Sequence, residues 1–328
     1  MKVLVAITNV YLNDSLRLHL GWPFYVIESY FRHVDETLFQ IMKAVGNWPE
    51  ILLVYAGAKK SAVARFRGGM KVLVEKKDLG RLVSLAELEN IPEGAKRKLR
   101  LKVSGDSATI RIDGKTLRFD LEVANAVAIE MYTMEHSMIK VRGRDVVDVG
   151  AYVDDTAMYY VLSEKARHVY AFEPFPYLYQ LAVKNVRANK LDKKITTYNA
   201  AVSGSAGKVS LNRDFTSFGI VDSTMMDDSR KGGVRVVSLD SIVKQLKIKK
   251  GALKVDCEGC EYSIFARSSS KALRSFELIH VEYHYGYRDI VERLSKEGFK
   301  VRYTKPAYNF TGFGSRSMLK GHIIAHLG

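Results

Sequence analysis

The stretch Val146–Pro174, VVDVGAYVDDTAMYYVLSEKARHVYAFEP, decides the fold. A short apolar run ends in Asp148-Val149-Gly150, a helical stretch follows, and a second apolar run ends in Glu173-Pro174. This is a strand–loop–helix–strand unit with an acidic residue closing each strand. Gly150 and Ala151 are small enough to let a backbone come close to a ligand. In a parallel sheet the end of the second strand lies at the same edge, where a carboxylate such as Glu173 captures ribose hydroxyls.

The loop also excludes one ligand class. A dinucleotide site shows G-x-G-x-x-G, and Gly150 is the only glycine here. Without a pyrophosphate cradle NAD is disfavoured. A nucleoside lacking a pyrophosphate, S-adenosylmethionine above all, fits better.

Outward from this unit, residues beyond Arg144 alternate strand and helix. Strands are expected at 145–149, 168–173, 195–200, 252–257 and 277–283, with helices at 155–165, 176–190 and 286–297. Such alternation argues for a parallel sheet covered by helices on both faces. Residues 202–240 interrupt it with five glycines and read as an inserted hairpin or loop. Two closing strands follow at 299–303 and 321–326. Residues 1–140 read as a separate α+β region, a substrate-docking or lid domain, and 141–328 as the sheet domain. Within the first part the expectations are a strand at Val3–Ile7, a helix over Tyr25–Val45, a strand at Ile51–Tyr55 after Asn47-Trp48-Pro49, and a hairpin turning at Asp113-Gly114.

Composition is that of a folded chain: 328 residues, 47% hydrophobic and 27% charged. No apolar run approaches the roughly 18 residues that a membrane span needs. Val3–Ile7 is too short for a signal sequence, and with two cysteines the reading is a cytoplasmic protein. The net charge of +15 is spread over both halves. It suits an anionic partner such as RNA or a nucleotide-linked sugar, and equally a lysine-rich solvated surface.

Further chemistry gathers at later strand ends. Asn199, beside Ala200 and Ala201, is placed to hydrogen-bond an adenine edge. The fourth strand runs into Lys254-Val255-Asp256-Cys257-Glu258-Gly259-Cys260-Glu261. Helix N-terminal acids complement the dipole, which accounts for one of these carboxylates but not for three. Asp256 is therefore placed to sit beside the sulfonium or to position a nucleophile, and Glu258 and Glu261 become candidates for bases or binders of substrate hydroxyls. Glu282 and His284 are two apart at the fifth strand's end and share a face, which makes an acid/base pair beside Asp256. Cys257 and Cys260 lack a second cysteine pair, and His280 and His284 are the only neighbours that could complete a zinc set. Strand alternation should turn Cys257 away from Asp256, so the cysteines read as packed small hydrophobes and no metal is assigned.

Together these stretches resemble the FkbM family of S-adenosylmethionine-dependent methyltransferases. The resemblance runs over about residues 141–303 and rests on D-V-G-A-Y-V-D-D-T at 148–156, Y-A-F-E-P at 170–174, N-A-A-V at 199–202, S-L-D-S-I at 238–242, K-V-D-C-E-G-C-E at 254–261 and V-E-Y-H at 281–284. It implies an α/β, Rossmann-like class I methyltransferase sheet, mostly parallel with an antiparallel last strand. It also implies methyl transfer, usually to an oxygen of a small molecule or glycan. Asp148, Gly150, Ala151, Tyr152, Asp154, Asp155, Thr156, Glu173, Pro174, Asn199 and Ala200 become the expected cofactor residues. Asp256, Glu258, Glu282 and His284 are expected around the acceptor. The family usually reads D-x-G-A-N-x-G-D-T, whereas this chain has Tyr152 for the Asn and Asp154 for the second Gly. Asp154 is expected either to narrow the methionine pocket or to bind the cofactor's amino group. RNA, docked on the basic N-terminal region, is the alternative acceptor, although no N-P-P-[YF] element is present. A degenerate, non-catalytic binding protein is the remaining alternative. The acceptor's identity and the oligomeric state are not legible in the sequence.

Overall fold

The computed structural model describes residues 38–133, 135–209, 233–309 and 318–328. The expected strand at Val3–Ile7 and the first part of the Tyr25–Val45 helix lie outside them. The chain divides into two compact units, parting between Pro92 and Glu93.

In the first unit, helical residues 38–44 lead to α1 (Trp48–Tyr55), the hairpin β1 (Ser61–Arg65) and β2 (Lys71–Glu75), and α2 (Leu79–Asn90). The expected strand at Ile51–Tyr55 is therefore corrected to a helix. Pro49 lies in the first turn of α1, where its missing N–H costs nothing and its fixed φ favours the helix. Ile51 and Val54, one helical step apart, are its buried residues.

The second unit begins with α3 (Glu93–Leu99) and the meander β3 (Lys102–Ser104), β4 (Ser107–Ile112) and β5 (Lys115–Asp120). Asp113-Gly114 forms the tight turn expected between β4 and β5, with both residues at positive φ. α4 (Ala124–Thr133) follows. The compact-unit boundary thus falls earlier in the chain than position 141, where the strand–helix alternation begins.

The main sheet then assembles from β6 (Asp145–Val149), β7 (His168–Phe172), β8 (Ile195–Tyr198), β12 (Gly251–Val255), β13 (Phe276–Tyr283), β14 (Phe299–Tyr303) and β16 (Met318–Leu327). Their spatial order is β14-β16-β13-β12-β6-β7-β8. All pairs from β13 to β8 are parallel, and β16 runs antiparallel between β13 and β14. This is the Rossmann-like methyltransferase sheet with its one reversed strand. β6 and β12 are buried at every position, as strands covered on both faces must be. α5 (Asp155–Leu162), α6 (Pro176–Ala188), α7 (Leu239–Leu246), α8 (Cys260–Arg267) and α10 (Arg288–Lys296) connect the strands, with the short α9 (Ser270–Leu273) before β13.

The insertion is a small sheet, in the order β10 (Gly207–Val209), β11 (Val234–Ser238), β9 (Ala201–Ser203). Residues 210–232 of the expected insertion lie outside the described ones. β15 (Ala307–Asn309) pairs with β16.

Two features of this order matter for the site. The chain runs outward from β6 through β7 to β8, then returns to place β12 on β6's other side. The carboxyl ends of β6 and β12 therefore flank a topological switch point, where open α/β sheets bind ligands. In addition, register sets Asp148 beside Lys254, and Lys254 beside His280, on neighbouring strands. Parallel neighbours in register project to the same face, so a polar row crosses an otherwise apolar sheet.

Candidate functional site

A cavity of about 880 Å³, its open mouth included, lies at the carboxyl ends of β6, β7 and β12. The β6–α5 loop forms one wall. Gly150 stands at φ +77, and a Cβ there would sit 1.7 Å from the Asp256 carbonyl oxygen. Only glycine lets this loop close against the end of β12. Tyr152 (φ +50) and Asp154 (φ +64) also adopt left-handed backbone. These are the two positions where the resemblance leads one to expect Asn and Gly, the residues that tolerate that conformation best.

Glu173 lines the cavity from the end of β7. Its Oε2 accepts from the Tyr152 N–H and its Oε1 from the Phe175 N–H, each at 2.9 Å. Burial outweighs these donors and pushes the carboxyl up to about 8. A carboxylate offers about four acceptor sites, so two remain for a ligand. Beside it Phe172, Phe175, Leu178, Ala201 and Val202 form an apolar slot. The opposite end of the cavity is polar, with Glu130, Asp155, Lys254, Asp256 and Glu258.

Lys254 is the hinge of the polar end. Its Nζ lies 3.5 Å from Asp148 Oδ1 and 3.4 Å from Asp256 Oδ2, and donates to the Gly150 carbonyl at 3.1 Å. Burial works against the ammonium, but Asp148 and Asp256 outweigh it and hold the lysine charged. Burial likewise pushes Asp148 up to about 6, against the attraction of Lys254. Asp256 would be raised by burial, but Lys254 and His284 hold it below the usual carboxylate range. Glu130, reaching in from α4, is raised well above its ordinary value by burial and by Asp155.

A smaller cavity adjoins the first and shares Glu130, Thr156, Lys254 and Asp256 with it, adding Tyr160, His280, Glu282 and His322. Behind its carboxylates lies His284, whose side chain is fully buried. Its Nδ1 pairs with Glu261 Oε1 at 2.9 Å. Its Nε2 points at Glu258 Oε2 (3.2 Å), Asp256 Oδ1 (3.8 Å) and Glu282 Oε1 (3.8 Å). Burial disfavours a charged ring, yet Glu258 and Glu261 carry its pKa up to about 10. Burial and the charge of Asp256 push Glu282 up to about 7.

The structure thus brings Asp256, Glu258, Glu282 and His284 together, as expected, but alters the roles. Surrounded by Glu258, Glu261, Asp256 and Glu282, His284 favours its protonated form where no other cation takes the proton's place. Of the expected cofactor residues, Gly150, Ala151, Tyr152, Asp155, Thr156, Glu173 and Pro174 line the larger cavity. Asp148, Asp154, Asn199 and Ala200 do not. Asp148 is inaccessible and committed to Lys254. Asp154 is buried and accepts from the Thr197 hydroxyl on β8, so it neither narrows the cavity nor faces a ligand. Its left-handed backbone turns the side chain inward. Asn199 spends its amide on the Glu173 and Pro174 carbonyls, bracing the strand end rather than reading a base. Ala200 is buried and does not line the slot, whereas Ala201 and Val202 do. The cysteines Cys257 and Cys260 pack with the hydrophobic core as expected, but they are also bridged to each other and border the larger cavity. Bonded to each other, the two sulfurs offer no thiolate to a metal.

Two residues escaped the sequence reading. Lys254 left a signal: a lysine inside an apolar, doubly covered strand needs a carboxylate partner. Glu130 left none, because nothing local in α4 tells which helix face meets the sheet edge. Glu261, expected as a base or a binder of substrate hydroxyls, is inaccessible and orients His284 instead.

Residues 148–301 match the methyltransferase FkbM domain. Similar solved structures include M. jannaschii TYW2 in complex with AdoMet (15% identity, 69% of this chain and 87% of that one, TM-score 0.37). Others are M. capricolum TrmK with S-adenosyl-homocysteine (10%, 60% and 66%, 0.38) and the precorrin-6y C5,15-methyltransferase of Geobacter metallireducens (11%, 61% and 87%, 0.35). No curated protein matches the chain in sequence. The motifs around Gly150, Glu173 and Asp256 all fall within or beside the matched stretch: residues 148–301 of this chain are similar to the methyltransferase FkbM domain.

Proposed function

We propose that the larger cavity binds S-adenosylmethionine and that the protein methylates an oxygen of a small-molecule or glycan acceptor. The observation that carries the reading is Glu173, with two free acceptor sites turned into a cavity that is apolar on one side and acidic on the other. The cavity's residues fit this cofactor. Glu173 would hold the ribose diol, and the slot of Phe172, Phe175, Leu178, Ala201 and Val202 would take the adenine. Acidic residues at the far end suit a cationic ammonium and sulfonium. When bound, the cofactor supplies a methyl group on a good leaving group.

The chain's own part is then alignment and proton removal. Asp256 and Glu282 both face the smaller cavity, which suits the acceptor. Glu282, at about 7, has a proton affinity matched to neutral conditions. His284 keeps these carboxylates in place by its charge.

Calorimetric titration with S-adenosylhomocysteine tests the reading. Binding to the native protein, its loss in Glu173→Ala and its retention in Glu282→Gln with lowered turnover are expected. Absence of heat with both S-adenosylmethionine and S-adenosylhomocysteine overturns it. RNA is the second acceptor class, suggested by the +15 charge. A salt-sensitive RNA affinity would favour it.

A further inference from the structure

We infer that Asp256, Glu282 and His284 form a divalent cation site at the junction of the two cavities. Their ligand atoms all lie within 4.8 Å of one another, close enough for one ion to meet all three after small side-chain rotations. Three observations point to a cation rather than to a self-contained ion-pair cluster.

The first is the orientation of the imidazole. Glu261, itself inaccessible, takes the Nδ1 proton at 2.9 Å and also accepts from the Gly259 and His284 backbone N–H groups. A carboxylate fixed on one ring nitrogen presents the other as a ligand, which is how metal-binding histidines are held. The second is that the presented atom, His284 Nε2, is fully buried and aimed at three carboxylates, 3.2 Å from Glu258 and 3.8 Å from Asp256 and Glu282, without a well-aligned hydrogen bond to any of them. The third is charge. Asp256, Glu258, Glu261 and Glu282 surround the ring, and among the described residues Lys254 and Lys320 are the lysines that reach these carboxylates. Lys254 is shared with Asp148, so five acids face two lysines and the ring, in a chain whose overall charge is +15. A divalent cation that takes the place of the Nε2 proton brings positive charge to a site that is short of it.

One nitrogen and carboxylate oxygens suit first-row divalent ions, Mn2+ among them, rather than Cu(I) or other thiophilic ions. Lys320, 3.0 Å from Glu282 and 24% exposed, stands on the solvent side and can swing away as the ion enters. The acceptor-side placement of this ion rests on the methyl-transfer reading above. Its binding does not.

The test uses the full chain after chelator treatment, with Mn2+ as probe, read by calorimetry and by loss of the free-ion paramagnetic resonance signal. One Mn2+ per chain is expected. His284→Ala and Glu282→Gln should abolish it, and Glu261→Gln, which touches no ion, should weaken it by about 10–100-fold. Lys320→Met, which removes the competing ammonium, should bind Mn2+ more tightly. Melting curves guard against misfolding: Mn2+ should raise the Tm of the native protein and not that of Glu282→Gln. No signal loss with the native protein at millimolar Mn2+, unchanged affinity in His284→Ala, or weaker binding in Lys320→Met overturns the site. Titration with S-adenosylhomocysteine in chelator separates the two proposals. Its failure while Mn2+ still binds sinks the cofactor reading alone, and cofactor binding without Mn2+ binding sinks the cation site alone.

Discussion

Replacing Lys254 by Met is the sharpest probe of how this site is built. The ammonium lies 3.5 Å from Asp148 and 3.4 Å from Asp256, and its side chain is 10% exposed. At an effective dielectric of about 20, each such pair is worth roughly 5 kcal/mol of gross attraction. Burial of three charges offsets much of that. What the variant reports is the penalty of leaving Asp148 inaccessible and unpaired, about 3–5 kcal/mol when one partner of a buried pair is removed. For a unit of this size that lowers Tm by roughly 10 °C. The assay is urea denaturation of Lys254→Met beside Asp148→Asn and the double variant. The double variant should recover a large part of the loss, because Asn needs no counter-charge. The loss should also depend on pH. Asp148 already titrates at about 6 beside Lys254, so below pH 6 it is protonated in both proteins. The difference should therefore be largest at pH 7–8 and shrink toward pH 5. A loss under about 1 kcal/mol, the range of an exposed pair, or no recovery in the double variant, would refute the view that Lys254 neutralises a buried acid.

Other outcomes follow from the same geometry. Asp154→Gly should leave cofactor affinity within about twofold and stabilise the fold, because it relieves a left-handed non-glycine residue worth roughly 1–2 kcal/mol; a tenfold drop in affinity would mean that Asp154 does reach the ligand. Gly150→Ala should cost about 3 kcal/mol or more and remove cofactor binding, since its Cβ would collide with the Asp256 carbonyl at a positive φ; a native-like melting curve contradicts the close approach. Glu173 gives a pH dependence of two opposite signs. Ribose hydroxyls donate to the ionised carboxyl, so cofactor affinity should climb as pH rises to about 8 and level off above it. Without cofactor the buried protonated form is the favoured one, so its contribution to stability is full below its ordinary 4.5 and is lost as pH rises to about 8. Glu173→Gln should flatten both curves, and a slope that survives in that variant must come from another group.

Much of this protein was legible in its sequence, for a physical reason. Strand–loop–helix–strand periodicity, the small residues after β6 and the acid closing β7 are local patterns, and local sterics fix what they can become. They gave the sheet, the ligand edge and the loop around Gly150, while the reversed strand came only with the family resemblance. The local reading failed at Ile51–Tyr55, where apolar β-formers follow a proline that opens a helix instead of ending an element.

The site's working details are not local. Which strand-end carboxylates face a ligand depends on register across β6, β12 and β13 and on which partner claims each group first. Asp148 is claimed by Lys254, Asp154 by Thr197, Asn199 by two carbonyls and His284 by Glu261, and each of these contacts spans more than twenty residues of sequence. The sequence by itself determined the fold of the sheet domain, the edge at which a ligand enters and the resemblance of residues 148–301 to a methyltransferase domain. Only the tertiary structure decided which acids are paired and which remain open, because the pKa and reach of a buried group are set by neighbours that chain order does not name.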